Sequence, residues 1–155
     1  MREILFRGKR KDNGEWVYGN HLFDDVSGKH YIVPFGNITE SEKVGQDGCC
    51  YCVGFEVIPS TVEQYTGLTD KNGKKIFEGD IISFDENLYT VQRECDTPGG
   101  YWAETGYILK HIGWSDYMSF TSTIDDWENE CQVFIIGNIH DNPELLNEKK
   151  ETNNE

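Results

Sequence analysis

The clearest pattern at the start of the chain is an alternation of large apolar side chains on both sides of a tight turn. Ile4 and Phe6 alternate before the turn, and Trp16 and Tyr18 alternate after it. A period of two places alternate side chains on one face of a strand. Between them, Asp-Asn-Gly at residues 12–14 supplies residues that tolerate the positive φ angles of a hairpin turn. The pattern predicts a β-hairpin.

Two further apolar runs precede residue 60. The first, KHYIVPF at residues 29–35, is typical of a short strand that ends at Pro34. The polar, glycine-flanked residues 36–48 are expected to form a surface loop. The second run is expected to be a strand that places four side chains on one face: Tyr51, Val53, Phe55 and Val57.

The segment STVEQYTG at residues 60–67 has the signature of a short helix. Ser60 is suited to cap the first turn, and Glu63, three residues later, is suited to bond back to the Ser60 amide. Gly67 stands where a left-handed helix stop is expected. A helix of this length would depend on packing, since isolated short helices are marginal in water.

A second Asn-Gly pair follows in DKNGKKIFEGDII. Asp70 to Gly73 predicts a tight turn, and residues 74–84 then alternate as strand residues. Gly79 interrupts the alternation, which predicts a bulge or a sharp bend. Asp80 is expected to accept hydrogen bonds from nearby backbone amides, as short carboxylates do at turns.

Residues 85–131 are rich in large aromatic side chains and contain three segments that resemble strands, LYTVQ, YWAETGYILKHI and MSFTS. The nearly continuous apolar run CQVFIIGNI is typical of a strand buried on both faces. Asn142 and Pro143 then predict the cap and first residue of a short helix. The polar residues 147–155 are expected to be disordered. With 16 glycines in 155 residues, the chain is expected to form one mainly β domain over residues 1–146.

The net charge of −14 is unevenly distributed, with −1 in residues 1–75 and −13 in residues 76–155. The acidic half would repel phosphate backbones, so nucleic-acid binding by that half is disfavoured. The only basic cluster is RGKRK at residues 7–11, with Lys71, Lys74 and Lys75 around the second Asn-Gly pair. These residues could form a small basic patch, although lysines at turns are usually solvated. No apolar run is long enough for a membrane helix, and no secretory signal is seen, so the cytoplasm is the expected compartment.

The cysteine cluster CCYC raises the question of a metal site. Cys49, Cys50 and Cys52 provide only one half of a zinc-ligand pattern, and Cys95 and Cys131 stand alone. An odd cysteine count without a secretory signal favours reduced thiols. Buried apolar packing is therefore the favoured role, and no metal or other cofactor is expected.

No assembled catalytic motif is visible. The histidines, at positions 21, 30, 111 and 140, show no metallohydrolase spacing, and phosphate-loop, dinucleotide and serine-hydrolase motifs are missing. Asp70, Glu78 and Asp80 could in principle form a carboxylate or magnesium site. Because they fall on one predicted hairpin, turn formation is the simpler role, and a non-enzymatic protein is expected.

Three stretches resemble the signature blocks of the YopX-like family of phage and prophage proteins: ILFRGKRKDNGEWVYG, YTGLTDKNGKKIFEGDII and IIGNIHDNPELL. The resemblance implies a mainly β, barrel-like core, with an SH3-like form as one option and an α+β fold as the alternative. It also implies expression in the cytoplasm of an infected or lysogenic bacterial host. The family offers no enzymatic activity to carry over, so the matching residues are expected to define the fold: Gly14, Gly67, Asp70, Gly73, Gly79, Asp80, Gly137, Asn138 and Pro143.

Two functional hypotheses follow. The first is a phage accessory protein that binds an unknown host or phage protein, without membrane association and with homo-oligomers allowed. Trp102, Trp114, Tyr117 and Trp127 are candidates for an aromatic groove, although at least half are expected in the core. The second is a regulator of nucleic-acid processes, acting through the basic hairpin or through acidic mimicry of DNA. A metal-dependent enzyme is a weaker third hypothesis.

Overall fold

A computed structural model describes residues 3–35, 54–93, 106–119 and 133–147 of the chain. Within it the chain divides into two compact units, Met1–Tyr65 and Thr66–Glu155. The cysteines, Trp102, Trp127 and the predicted loop at 36–48 lie outside the described residues, as do residues 148–155 of the predicted tail.

The first unit is an antiparallel sheet built around the predicted hairpin. Its strands are β1 (Phe6–Lys9), β2 (Trp16–Asp24), β3 (Lys29–Val33), β4 (Phe55–Val57) and the start of β5 (Glu63–Thr69), in the order β4-β3-β2-β1-β5. Phe6 pairs with Gly19 and Lys9 with Trp16, and Gly14 adopts a φ of 75° in the turn. The predicted hairpin is therefore confirmed.

The core of the first unit contains a buried ion pair as well as aliphatic side chains. Ile32 and Val57 are almost fully buried. The buried side chains of Arg7 and Glu63 approach to 2.6 Å, and the Arg7 guanidinium lies 4.6 Å from the centre of the Trp16 ring. Removing one partner of such a pair would leave an uncompensated buried charge, so the two residues depend on each other.

The helix predicted over residues 60–67 is wrong. A single 3-10 turn, Pro59–Thr61, is followed at once by strand β5. Glu63 pairs with Arg7 across β1 instead of returning to the Ser60 amide, and Gly67 lies inside β5 with a φ of 91°. Strand pairing and the buried ion pair outweigh a local helix signal that is too short to be stable alone.

The second unit contains the rest of β5 and a five-stranded antiparallel sheet. Strand β6 (Lys75–Phe77) neighbours β5, and Thr66 Oγ1 donates to the Ile76 carbonyl at 2.8 Å. The five-stranded sheet has the order β10-β9-β8-β7-β11. Its strands are β7 (Asp80–Phe84), β8 (Asn87–Arg93), β9 (Tyr107–His111), β10 (Tyr117–Ser119) and β11 (Phe134–Asn138), and the 3-10 helix Pro143–Asn147 follows.

One face of this five-stranded sheet carries the main apolar core of the unit. Its buried members come from β6, β7, β8, β9 and the residue immediately before β11. They are Ile76, Ile82, Tyr89, Val91, Tyr107, Leu109 and Val133. Tyr107 is thus a core aromatic, as expected for part of the aromatic-rich region.

The prediction that the CQVFIIGNI strand is buried on both faces is wrong. Strand β11 lies at one end of the described five-stranded order, and Ile136 is 43% exposed. Ile135 pairs with Ile82 and Gly137 with Ile81, so Ile136 is an additional residue in a β-bulge. A bulge at a sheet end turns a side chain out of the alternation, which a continuous apolar sequence does not reveal.

The predicted mainly β fold with one or two short helices is confirmed, and the α+β alternative is wrong for the described residues. Neither described sheet closes on itself. The predicted barrel-like core therefore corresponds to two open antiparallel sheets and not to a closed barrel. The SH3-like form stays a prediction. The single-domain prediction also stays open, because compact packing within each unit does not decide whether either unit folds alone.

Candidate functional site

The candidate site is a groove beside the β9–β10 turn in the second unit. Gly113 supplies a positive φ of 88° in this turn, and the following residue, Trp114, is 58% exposed. The His111 amide donates to the Asp116 carbonyl at 3.1 Å and closes the turn. A large indole held in solvent by a tight turn is available for contact with another molecule.

The groove has a volume of about 540 Å³, within the usual range for ligand sites. Its described lining comes from β8, β9, the β9–β10 turn and the segment after β11. The residues are Thr90, Gln92, Lys110, His111, Ile112, Gly113, Trp114, Ser115, Ile139 and Leu146.

The polar wall of the groove is formed by paired strands. Thr90 lies opposite Lys110 in the β8–β9 register, and Gln92 follows two residues along the same face. Gln92 Nε2 donates to Thr90 Oγ1 at 3.2 Å. In the described part of the chain, Lys110 has no ion-pair partner. Lys110 is also the only lysine or arginine among the described lining residues.

His111 anchors the floor of the turn. Its Nδ1 lies 2.9 Å from the Ile112 carbonyl, so this nitrogen carries the hydrogen and donates. The ring packs edge-on against Tyr89 at 4.9 Å and against Trp114 at 6.1 Å. Burial, and then the nearby Asp85 carboxylate, raise the pKa of Tyr89 above its ordinary value, so its phenol stays protonated at neutral pH.

The sequence predicted part of this site. Trp114 is one of the four aromatic candidates for a groove, and it lines this one. Tyr117 pairs with Lys110 and is half-buried, but it is not among the described lining residues, and Trp102 and Trp127 lie outside the described residues. Lys110 was missed, although residues 76–155 hold only four lysines and arginines.

The signature carboxylate Asp70 organises its own turn. Asp70 Oδ1 accepts from the amides of Asn72 at 2.9 Å and Lys74 at 2.8 Å, and Oδ2 accepts from the Ile135 amide at 3.4 Å. Gly73 takes a φ of 77° in the same turn. Asp70 therefore holds the turn in shape and connects it to β11, as its predicted role in the fold requires.

The second signature carboxylate, Asp80, fixes the β6–β7 turn. Its Oδ2 accepts from the Phe77 amide at 2.8 Å, and the Asn138 side chain lies 3.5 Å from Oδ1. Gly79 bends the chain with a φ of 78°. The sharp bend and the amide-binding role of Asp80 are confirmed.

The third signature block is tied to its own helix entry. Asn138 Oδ1 accepts from the His140 amide at 2.8 Å, and the Asn142 amide donates to the Asn138 carbonyl at 2.8 Å. A Cβ on Gly137 would lie 2.6 Å from Asn142 Oδ1. Pro143 begins the 3-10 helix, which confirms the short helix predicted there.

The basic hairpin is largely neutralised by neighbouring carboxylates. Arg7 pairs with buried Glu63, and Arg10 pairs with Asp12. Lys11 lies 2.7 Å from Glu56, while the Lys9 ammonium lies 5.5 Å from the centre of the Trp16 ring. These contacts leave little uncompensated charge for a phosphate backbone.

Two histidines in the first unit form a stacked pair. His21 Nε2 lies 2.9 Å from His30 Nδ1, with ring centres 5.1 Å apart, and Phe6 and Phe23 flank them. Burial, and then the neighbouring His30, lower the pKa of His21 below its ordinary value. Among the residues that the structure describes, no three His, Cys, Asp or Glu side chains converge on a metal-sized site. No described helix is long and apolar enough to cross a membrane.

Comparison with known proteins places these observations in a family. The family model described as YopX protein matches residues 5–147, which is nearly the whole chain. A search of curated proteins gave no match. The match spans all three blocks whose residues form the turns and networks above, and the chain therefore belongs to the YopX family.

Proposed function

We propose that this protein is a non-enzymatic binding module, encoded by a phage or prophage, that holds a host or phage protein in the groove beside the β9–β10 turn. The observation that carries the proposal is the exposure of Trp114 in the lining of a groove of about 540 Å³. Exposed aromatic anchors beside concave surfaces are characteristic of protein contacts.

A binding role is supported by what the polar groups already do. The carboxylate oxygens of Asp70 and Asp80 accept hydrogen bonds from backbone amides of their own turns. Among the described hydrogen bonds, none joins the His111 ring to the hydroxyls of Thr90 or Ser115 in the same lining, and its Nδ1 is bonded to the main chain. The arrangement favours recognition over chemistry.

Regulation of nucleic-acid processes is the alternative. The ion pairs of Arg7, Arg10 and Lys11 give the direct-contact form little support, because phosphate binding needs several free Lys or Arg side chains. Acidic mimicry rests on the net charge alone. The bacterial host cytoplasm is the compartment that we propose for either role.

The test is photo-crosslinking inside a bacterium that carries the phage or prophage. A photoreactive residue replaces Ser115 in the groove or, as the control, the 93% exposed Val26 of the first unit. We expect one discrete adduct from position 115 that Trp114→Ala abolishes and that position 26 does not give. Equal adducts from both positions, or an adduct indifferent to Trp114→Ala, would overturn the proposed function.

A further inference from the structure

We infer that the groove recognises an extended, acidic peptide segment of the partner, with one Asp or Glu side chain bound at Lys110 and a neighbouring apolar side chain at Trp114. This inference rests on the proposed function and names the chemistry of the partner. It is carried by the juxtaposition of one uncompensated cation, a buried hydroxyl and an exposed indole in one groove.

The charge of Lys110 is unusual in its surroundings. Residues 76–155 hold 17 acidic and four basic side chains, yet Lys110 contacts no carboxylate in the described part of the chain. Arg93, on the preceding strand β8, does contact a carboxylate: its Nε lies 2.9 Å from Glu78 Oε2. A half-buried ammonium beside a groove gains most from an anionic ligand, because a charge-assisted hydrogen bond is stronger than a neutral one.

Thr90 supplies a hydrogen-bond donor next to this cation. Its side chain is buried, its Oγ1 already accepts from Gln92, and no acceptor for its own hydroxyl hydrogen lies among the described residues. A buried hydroxyl without an acceptor costs free energy. A carboxylate or a peptide carbonyl in the groove would accept this hydrogen.

The lining of the groove also includes apolar side chains. Trp114 is 58% exposed and Leu146 is 39% exposed, and Ile139 also lines the groove. Each aromatic side chain can bury about 150–250 Å² on contact. The segment that fits therefore carries an aromatic or aliphatic side chain next to its acidic one.

The charge count favours a peptide over a nucleic acid. One cation in the described lining balances one carboxylate, whereas a nucleic acid presents a phosphate at each nucleotide and binds through many cations. The net charge of −14 would repel such a polyanion but would tolerate an isolated acidic side chain.

A side-chain carboxylate fits better than a chain terminus. Proteins that capture a terminal carboxylate usually do so with a nest of backbone amides. In this groove the positive charge comes instead from a side chain on β9, and the adjacent amides of His111 and Ile112 already donate to Asp116 and Leu88 carbonyls.

The test begins with selection from a library of short random linear peptides on the full chain. We expect the recovered peptides to share an Asp or Glu next to an aromatic or aliphatic residue. Selection on Lys110→Glu should replace the acidic residue with Lys or Arg, because the charge it meets is reversed. Enrichment of free carboxyl termini would identify the terminal source instead and overturn the inference, as would competition of the peptides by single-stranded DNA.

Affinities of a selected peptide then give the magnitudes. Lys110→Ala should weaken binding by about 10-fold to 100-fold, the usual worth of a hydrogen bond to a charged group. Lys71→Glu, which alters charge at the exposed turn after Asp70, is the matched control and should leave affinity unchanged. Circular dichroism of each variant checks that the sheet is intact.

The two proposals fail in different ways. Peptides that need Trp114 but bind Lys110→Glu as tightly as wild type would overturn the acidic-peptide inference and leave the groove as a binding site. If binding depends on neither Lys110 nor Trp114, the groove is not the site, and the proposed function is overturned with it.

Discussion

At the scale of single residues, the two aspartates of the middle family block, Asp70 and Asp80, stabilise turns of the main chain. Asp70 and Asp80 stand close together in sequence with glycines and lysines, a composition that also occurs in phosphate and metal loops. In the structure both accept hydrogen bonds from backbone amides at turns. Their chemistry serves the chain itself because a short side chain at a turn reaches its own main chain first.

Replacing Asp80 by alanine should destabilise the protein by about 1–3 kcal/mol, because the buried amide of Phe77 would lose its acceptor. Urea unfolding followed by far-UV circular dichroism measures the change. Asp25→Ala, at an exposed turn position, is the matched control and should be near neutral. Equal effects of the two substitutions would contradict the role given to Asp80.

His21 gives a pH dependence whose sign can be worked out. Its pKa in the folded protein lies below the ordinary value of about 6.5, so folding favours the neutral ring. This contribution is complete above about pH 6.5, the unfolded value, and is lost as the pH falls through the folded pKa. His21→Phe, which keeps a ring against Phe6 and His30, should therefore flatten the acid side of the stability curve.

Chemical denaturation at a series of pH values between about 5 and 8 covers the range in which histidine titrates. NMR titration of the His21 ring in the folded protein gives its pKa directly. A wild-type curve parallel to that of His21→Phe over this range would show that the pair contributes nothing to pH dependence.

At the scale of elements, β2 and β3 depend on a glycine that the sequence pattern did not single out. A Cβ on Gly19 would lie 2.0 Å from the Val33 carbonyl oxygen and 2.8 Å from the Cα of Pro34. Backbone atoms of a paired strand cannot move aside as a flexible side chain can. The requirement is for close approach, and not for a special dihedral angle.

Gly19→Ala should therefore cost more than Gly73→Ala. At Gly73 there is open space and only a φ of 77° to be strained, for which an L-residue costs about 1–2 kcal/mol. Overpacking typically costs about 1–3 kcal/mol. At Gly19 we expect a loss of stability at the upper end of that range, together with disturbed β2–β3 pairing. Amide hydrogen exchange of Leu22 and Tyr31, which lie opposite each other in β2 and β3, reports that pairing; unchanged protection in Gly19→Ala would be the contrary result.

The elements also show where sequence reasoning succeeds. Both Asn-Gly turns formed where the sequence placed them, because positive φ is a local demand that glycine meets without neighbours. The helix predicted at residues 60–67 is wrong because this segment pairs with β1 instead: Gln64 lies opposite Phe6, and Glu63 lies opposite Arg7. Long-range pairing of that kind leaves no mark on a local sequence window.

At the scale of the whole molecule, the net charge of −14 is a source of self-repulsion. Raising sodium chloride from about 0.01 M to about 1 M shortens the Debye length from roughly 30 Å to 3 Å and screens that repulsion. We expect the thermal midpoint to rise, and a gain of about 1 kcal/mol would correspond to roughly 2–4 °C at this chain length.

Differential scanning calorimetry across this salt range is the measurement. Exposed ion pairs such as Lys11–Glu56 act in the opposite direction, but solvent screening leaves each of them weak. A midpoint that falls with salt would mean that local attraction exceeds global repulsion, contrary to this expectation.

The sequence by itself determined the mainly β class, both Asn-Gly turns and the family, because these depend on periodicity and on residues with local conformational demands. Tertiary structure alone decided that Arg7 is buried against Glu63, that Ile136 faces outward in a bulge, and that Lys110 and Trp114 share a groove. These outcomes depend on which strands pair and in which register. A one-residue shift in register reverses every side chain, and it is fixed only when distant segments meet.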